Sequence, residues 1–325
     1  NENIDAIEDE EGNLLAGEEA PTAPQDNFYA NLAEFLDDSQ LKSLASKLLA
    51  DFKDDSLARK SYIETYTKGL DLLGFKYQEV TRPFIGASGV THPLLAEAAT
   101  QFQAQAFKEL LPSDGPVRTQ VVGAESKETI QQANRVRDYM NYQITDVMEE
   151  YTPEMDQMLF FLPLAGSTFK KVYYDPAAQR CKATFIHAED LVVPYNASDL
   201  YEAERISEVQ RVTKNTVAKR IASGFYRDVE LPEPFFNEDR AQKKYQELEG
   251  VTPQKYQDLY NFVEMHVDLD LPGYESDDGV KVPYIVTLDR DSMTIMSIYR
   301  NYKPDDQSRK RIPHFVHYKF LPGLG

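Results

Sequence analysis

The sequence predicts an α+β fold, helical over its first half and strand-rich toward its end. Three observations predict it. Apolar residues recur at the spacing of a helix face as far as about residue 165. From Thr168 the apolar period drops to two. Helical and strand-like segments do not alternate as in a doubly wound sheet, and no repeat of fixed period is present. With 325 residues and 42% hydrophobic content, the chain has material for one large or two ordinary domains. It divides into 1–26, an acidic flexible tail; 27–166, mainly helical; 167–258, mixed hairpin and helix; and 259–325, strand-rich.

In chain order, "QLKSLASKLLADF" places Leu41, Leu44, Leu48, Leu49 and Phe52 on one helical face. "DDSLARKSYIETYTKGLDLLG" reads as a second helix, capped by Asp55 or Ser56 and closed by Gly74. A third helix runs from about Pro93 to Leu111 with Leu94, Leu95, Phe102, Phe107, Leu110 and Leu111. Its remaining face, including Gln101, Gln103, Gln105 and Ala106, is polar without charge. Pro112 to Pro116 break the chain, and Val117–Val122 reads as a short strand. Ser126 caps a long helix to about Glu150, with Ile130, Val136, Met140, Ile144 and Val147 inward. Another helical segment starts at Pro153. "TFKKVYYD" and "KATFIH" form a hairpin turning at Pro176-Ala177. A helix follows in "TKNTVAKRIASG", and 232–258 is charged and helical, interrupted by Pro253. "NFVEMHVDLDL", "PYIVTLD", "TIMSIYRNY" and "PHFVHYKFL" are strands.

The formal charge is −19, and nine of the acidic side chains sit in residues 1–26, which hold no Lys or Arg. Residues 27–325 therefore carry −10. The first 26 residues read as a solvated terminus, with an acidic docking arm as the alternative. An acidic body argues against tight DNA binding, which depends on neutralised phosphates, but not against a protein that lets DNA slide past. The single Cys181 excludes an internal disulfide and fits a reducing compartment. No run of 18 or more apolar residues is present to span a membrane, and no signal peptide is indicated. The last residues, "FLPGLG", make an odd natural end and read as the edge of a fragment.

The stretch "FIGASGVTHPLL" has the ingredients of an active site. A nucleophile elbow needs Gly-x-Ser-x-Gly, but in Gly86-Ala87-Ser88-Gly89 the second glycine is one place early. A phosphate loop needs a lysine after its glycines, and none lies between Lys76 and Lys108. The stretch reads as a helix entry: Gly86 and Gly89 free the backbone, Thr91 caps, and Pro93 sits in the first turn. In "DLDLPGYESDDG", Asp268, Asp270 and Gly273 match the first, third and sixth positions of a calcium loop. Pro272 at the fifth and Gly279 at the twelfth do not match, so a solvated turn is the plain reading of Asp277 and Asp278. His314 and His317 point to opposite faces of a strand, and His92, His187 and His266 are scattered, so no zinc site is expected. Arg309, Lys310 and Arg311 form the tightest basic cluster, near Tyr299 and Tyr302. They read as a loop tip between strands or as a contact to a nucleic-acid backbone. No catalytic or metal residues, and no cofactor, are assigned.

Four stretches, in order, carry a resemblance. They are "VTRPFIGASGVTHPLLAEAATQFQAQAFKELLP", "LPLAGSTFKKVYYDP", "FIHAEDLVVPYNASDLYEAERI", and "FVEMHVDLDLPG" continuing to "RIPHFVHYKFLPGLG". Over roughly residues 55–325 the chain resembles the portal proteins, or head-to-tail connectors, of tailed bacteriophages, especially the large portals of short-tailed phages. The resemblance implies a subunit whose first helices and hairpin build a peripheral wing and whose strand-rich end runs from wing to clip. A channel-lining stem helix would follow Gly325. Glu189 and Asp190, before Val193 and Pro194, correspond to the family's acidic position after the hairpin.

The resemblance further implies a ring, usually of twelve subunits, at one capsid vertex of the virion, assembled in the host bacterial cytoplasm. Its implied partners are the terminase large subunit, head-tail adaptor and tail proteins, the major capsid protein and scaffold. Double-stranded DNA passes through the ring without specific binding, and the portal itself hydrolyses nothing. Twelve copies would carry about 230 formal negative charges, a wall that resists sticking. The uncharged face of Gln101, Gln103, Gln105 and Ala106 is then a possible subunit contact, and Arg309, Lys310 and Arg311 a motor or adaptor docking loop. The alternatives are a metal-dependent hydrolase or nuclease using Asp268, Asp270 and Asp277, and another structural virion protein such as a head-tail adaptor.

Overall fold

The computed structural model describes residues 27–73, 84, 86, 92–175, 178–234, 259–275 and 279–321. The expected tail 1–26, Gly74, Ser88, Gly89, Thr91, the turn at 176–177, residues 235–258 of the segment 232–258 expected to be helical, and Asp277 and Asp278 lie outside them, and residues 232–234 of that segment are not helical. The fold mixes helix and sheet, as the α+β reading requires. The described residues form two compact units: 27–51, 210–234 and 259–311 in one, 52–209 and 312–321 in the other. Helix α1 (Asp38–Ala58) and strand β4 (Arg205–Thr213) each pass from one to the other along the chain.

In the first unit, β5 (Leu259–Leu269), β6 (Val282–Asp289) and β7 (Thr294–Arg300) form an antiparallel meander beside β4. β5 and β6 pair with Met265 opposite Val286. Seven of the eight β6 residues are buried, so this strand reads as a continuous apolar run and not as an alternation. Helix α6 (Lys214–Ala222), capped by the Thr213 side chain, lays Val217 against Val212, Tyr226, Phe262 and Met296. The outer edge of β7 is blunted by Arg227, whose amide donates to Met296 O at 2.9 Å and whose Nε donates to Ile295 O at 2.6 Å, and by Asn31. Asn31, at the cap of a short 3₁₀ turn (Leu32–Glu34), accepts a hydrogen bond from Ile298 N at 3.0 Å and donates one to Met296 O at 3.2 Å. A paired edge offers no ladder to another strand.

In the second unit, β1 (Ser167–Asp175) lies between β2 (Arg180–Ile186) and β8 (Phe315–Lys319), antiparallel to both. The predicted hairpin is therefore present, and β8 returns to its open side. Helix α5 (Tyr151–Ala165) ends at Gly166, whose φ of +74° suits the left-handed cap that glycine adopts cheaply. Met155, Met158, Leu159 and Leu162 of α5 form a core with Phe102, Phe107, Phe185 and Tyr318. The sheet's other face packs Phe169, Ile186 and Phe315 against Leu191, Leu200, Ala203 and Ile206. Helix α2 (Lys60–Leu73) joins through Tyr66 and Leu70. It approaches so closely that a Cβ on Gly69 would sit 2.9 Å from Leu164 Cδ1.

Five local expectations are corrected. First, α1 runs through Asp55 and Ser56, so neither is a cap. Asp55 instead takes Arg205 in a two-pronged ion pair, at 3.0 and 3.1 Å. The helix breaks at Arg59, whose guanidinium donates to the carbonyls of Ala188 and Leu191. Second, residues 117–122 form no strand. Their polar groups bond to a helix: Val117 N donates to Asn141 Oδ1 at 2.9 Å, and Thr119 Oγ1 donates to Ala133 O at 3.0 Å.

Third, the long helix is cut short. Helix α4 (Lys127–Tyr142), opened by a Ser126–Thr129 capping box, gives way to a π turn (Gln143–Val147) before α5. Fourth, the stripe expected to point inward on α4 is exposed at Ile130, Val136 and Met140. Fifth, α3 (Leu94–Leu110) buries Ala96 and Ala99 while Leu94 and Leu110 face solvent. Small residues are what allow it to lie close to its neighbours. Pro93 occupies its cap position, with no side-chain bond.

Candidate functional site

The basic cluster lies where the sequence places it, in the loop after β7. Asp306 shapes that loop. Its carboxylate accepts the Ser308 hydroxyl at 2.6 Å and the Lys310 amide at 3.1 Å, and its carbonyl accepts the Arg309 amide at 3.0 Å. The Ser308 hydroxyl first, then the Lys310 amide, hold the Asp306 carboxyl below the usual range. Arg309 is turned into the left-handed region, with φ +47°. It shares an open pocket of about 360 Å³ with Phe28, Tyr302 and Asp305. Lys310 is exposed.

The cluster does not act as one patch. Arg311 Nη2 binds Asp268 Oδ1 at 2.8 Å. Tyr299 stacks on Phe225 and donates its hydroxyl to Phe225 O at 2.7 Å, and burial pushes it up to about 12. Tyr302 meets Phe28 edge-on at 5.1 Å. Of the proposed basic and aromatic set, Arg309 and Tyr302 come together; Tyr299 and Arg311 are engaged elsewhere.

The uncharged face of α3 is divided. Gln103 Nε2 donates to Asp156 Oδ1 at 2.8 Å, and Ala106 packs against the α5 core. Gln101 and Gln105 remain exposed. The acidic pair Glu189 and Asp190, ahead of β3 (Leu191–Val192), lies beside a half-buried arginine. Arg59 bonds the carbonyls on either side of that pair. Burial lowers the Arg59 guanidinium, while the charges of Tyr62, Glu189 and Asp190 oppose that shift. An acidic turn read from sequence as a family feature thus anchors a helix junction.

The carboxylates and histidines are spread among different contacts. Asp268 is held by Arg311, and Asp270 is exposed at the end of β5. Among the described residues, no three His, Cys, Asp or Glu side chains are grouped to hold a metal ion. His266 Nε2 meets Glu264 Oε1 at 2.8 Å, and Gln210 donates to the other Glu264 oxygen at 2.9 Å. His317 Nε2 lies 3.0 Å from Ser167 Oγ and stacks on Phe169. Burial, with Lys319 adding, pushes His317 down to about 4. It is therefore neutral at pH 7 and a weak base.

The residue that sequence reasoning missed is Lys170. Adjacent residues of a strand point to opposite faces, so "KK" within β1 must send one lysine each way. Both faces of this sheet are covered, and that pair was the available signal. Lys171 pairs with Glu208 at 2.6 Å. Lys170, 2% exposed, sets its ammonium 4.2 Å above the Tyr151 ring, and no described residue accepts a hydrogen bond from it. Burial pushes it down to about 8 against the pull of Glu154 and Glu150.

No family model matches the chain, and no curated protein does.

Proposed function

We propose that the chain is a portal subunit, one of a closed ring at the unique vertex of a tailed-phage virion through which double-stranded DNA is packaged and released. The observation that carries this reading is the ordered run of four portal-like stretches over residues 55–325. The charge supports it. A chain of −19, repeated around a channel, repels a polyanion and lets it travel. Its work is positional: neighbours close a ring through unlike side surfaces, and the ring presents docking loops to a terminase and, later, to tail adaptors. No proton or group transfer is asked of any residue.

The test is direct. Negative-stain images and a native mass of the full-length protein should show a ring with a central hole, of about twelve copies. A monomer or small oligomer that turns over a substrate overturns the reading. The docking loop has a narrower test. Arg309→Glu with Lys310→Glu should lower DNA packaging or tail attachment while ring formation persists. Arg311 is left intact because its pair with Asp268 serves the fold. Unchanged packaging and attachment would remove the loop from the docking surface.

A further inference from the structure

The first described residues join the fold beside the basic loop that follows β7. Asn27 closes a turn: its carbonyl accepts the Ala30 amide at 3.2 Å and its side-chain oxygen the Tyr29 amide at 3.2 Å. Phe28 is then clamped. Its ring meets Tyr302 edge-on at 5.1 Å, and the Arg300 guanidinium sits 5.2 Å over it. Arg300 Nη1 also donates to Phe28 O at 2.8 Å. Phe28 lines the open pocket of about 360 Å³ together with Tyr302, Asp305 and Arg309. The residues that precede Asn27 therefore enter at the rim of the loop.

The two sides of that junction differ in sign. Residues 300–311 carry Arg300, Lys303, Arg309, Lys310 and Arg311 against Asp305 and Asp306. With Arg311 paired to Asp268, four cations are set against two carboxylates, and the Asp306 carboxylate is bonded to the loop's own Lys310 amide. Among the described residues, Arg300, Lys303 and Lys310 make no ion pair. Residues 1–26 carry nine carboxylates and no Lys or Arg, and residues 27–325 are net acidic as well. An acidic segment is repelled by most of such a body and attracted where cations outnumber acids. Glu18 and Glu19 are at most about 32 Å of chain from Asn27. A tether this short holds the acids at about millimolar local concentration, so exposed pairs that are individually weak are enough.

We infer that residues 1–26 dock, within their own chain, on the basic loop 303–310 and shield it until a partner displaces them. The contact needs only the opposed charges and the tether. Its shielding role rests on the reading of this loop as a docking surface in a ring that conducts DNA. An uncovered basic loop would hold a passing polyanion by its phosphates. An acidic segment over the loop removes that sticking point and yields only to a partner with a stronger grip.

The experiment uses full-length protein with Gln307→p-benzoylphenylalanine, a position that lines the pocket, mixing ¹⁵N-labelled and unlabelled copies before illumination. Crosslinks within one chain that land in residues 8–19 are expected, and raising the salt from about 0.05 M to about 0.5 M should cut their yield about fivefold. Lys303→Glu with Lys310→Glu should lower the yield about threefold, and adding Glu18→Lys with Glu19→Lys should restore it. Shielding is read as trypsin cleavage after Arg309 and Lys310, which Glu18→Gln with Glu19→Gln should speed about threefold. Crosslinks confined to 20–26, crosslinks into a second copy, a yield that ignores salt and charge, or an unchanged cleavage rate overturns the inference. A ring lacking the 8–19 crosslinks refutes the contact and leaves the portal reading standing. The same crosslinks in a protein that forms no ring keep the contact and remove the portal reading.

Discussion

α4 and α5 follow one another in the chain, and each carries apolar residues at helical spacing. α5 sets Met155, Met158, Leu159 and Leu162 into a core against α3 and the three-stranded sheet, and its polar signals are few. α4 buries nothing and is held by side-chain hydrogen bonds: a capping box at Ser126, the Thr119 hydroxyl on Ala133 O, and the Asn141 side chain bonding both backbone groups of Val117. The pair shows that periodicity identifies a face meant for burial without saying which molecule buries it. For α5 the partner is the same chain. For α4 the described residues bury none of it.

The comparison can be broken in three ways, largest effect first. Leu159→Ala removes a side chain with almost no exposure and should cost about 2–5 kcal/mol in urea unfolding. Val136→Ala on α4 should change subunit stability by no more than about 0.5 kcal/mol. Equal costs would mean that α4 has an internal partner.

The second concerns the floor beneath α5. The unfolded chain keeps the Lys170 proton to about the ordinary value of 10.5, the folded chain only to about 8. Between those values the unfolded state binds more protons, so stability rises with pH through that window. Lys170→Met should remove that rise and be the more stable protein below pH 8, by urea titrations from pH 7 to 10. A parallel pH dependence in both proteins would show that Lys170 is solvated and α5 less tightly seated.

The third is the smallest. Ser126→Ala deletes half of the α4 capping box and should cost about 1 kcal/mol, read as lost helicity by circular dichroism and as a lower Tm. No change would mean that α4 is held by packing, as α5 is.

Much of the fold was legible. The β1–β2 hairpin, the four later strands and the helix at Thr213 follow from period and turn chemistry, because these signals are local. Asp55 was misread for the same reason. An aspartate near a helix start looks like a cap, yet its partner is Arg205, far along the chain. Residues 117–122 have a strand's composition but pair with no strand among the described residues, and side-chain bonds to α4 take the ladder's place. The basic cluster was found, but its splitting among Asp268, Asp306 and the Arg309 pocket was not. Which arginine is spoken for depends on residues brought near by folding.

By itself the sequence determined the element types, the acidic excess, the adjacent lysines of β1 and the apolar stripe of α4. Each depends on residues a few positions apart. Tertiary structure alone decided that Lys170 is buried over Tyr151, that Gln103 and Ala106 of α3 face inward, and that the α4 stripe faces out. Burial is a property of long-range packing, and a helix or strand does not encode which neighbour will cover it.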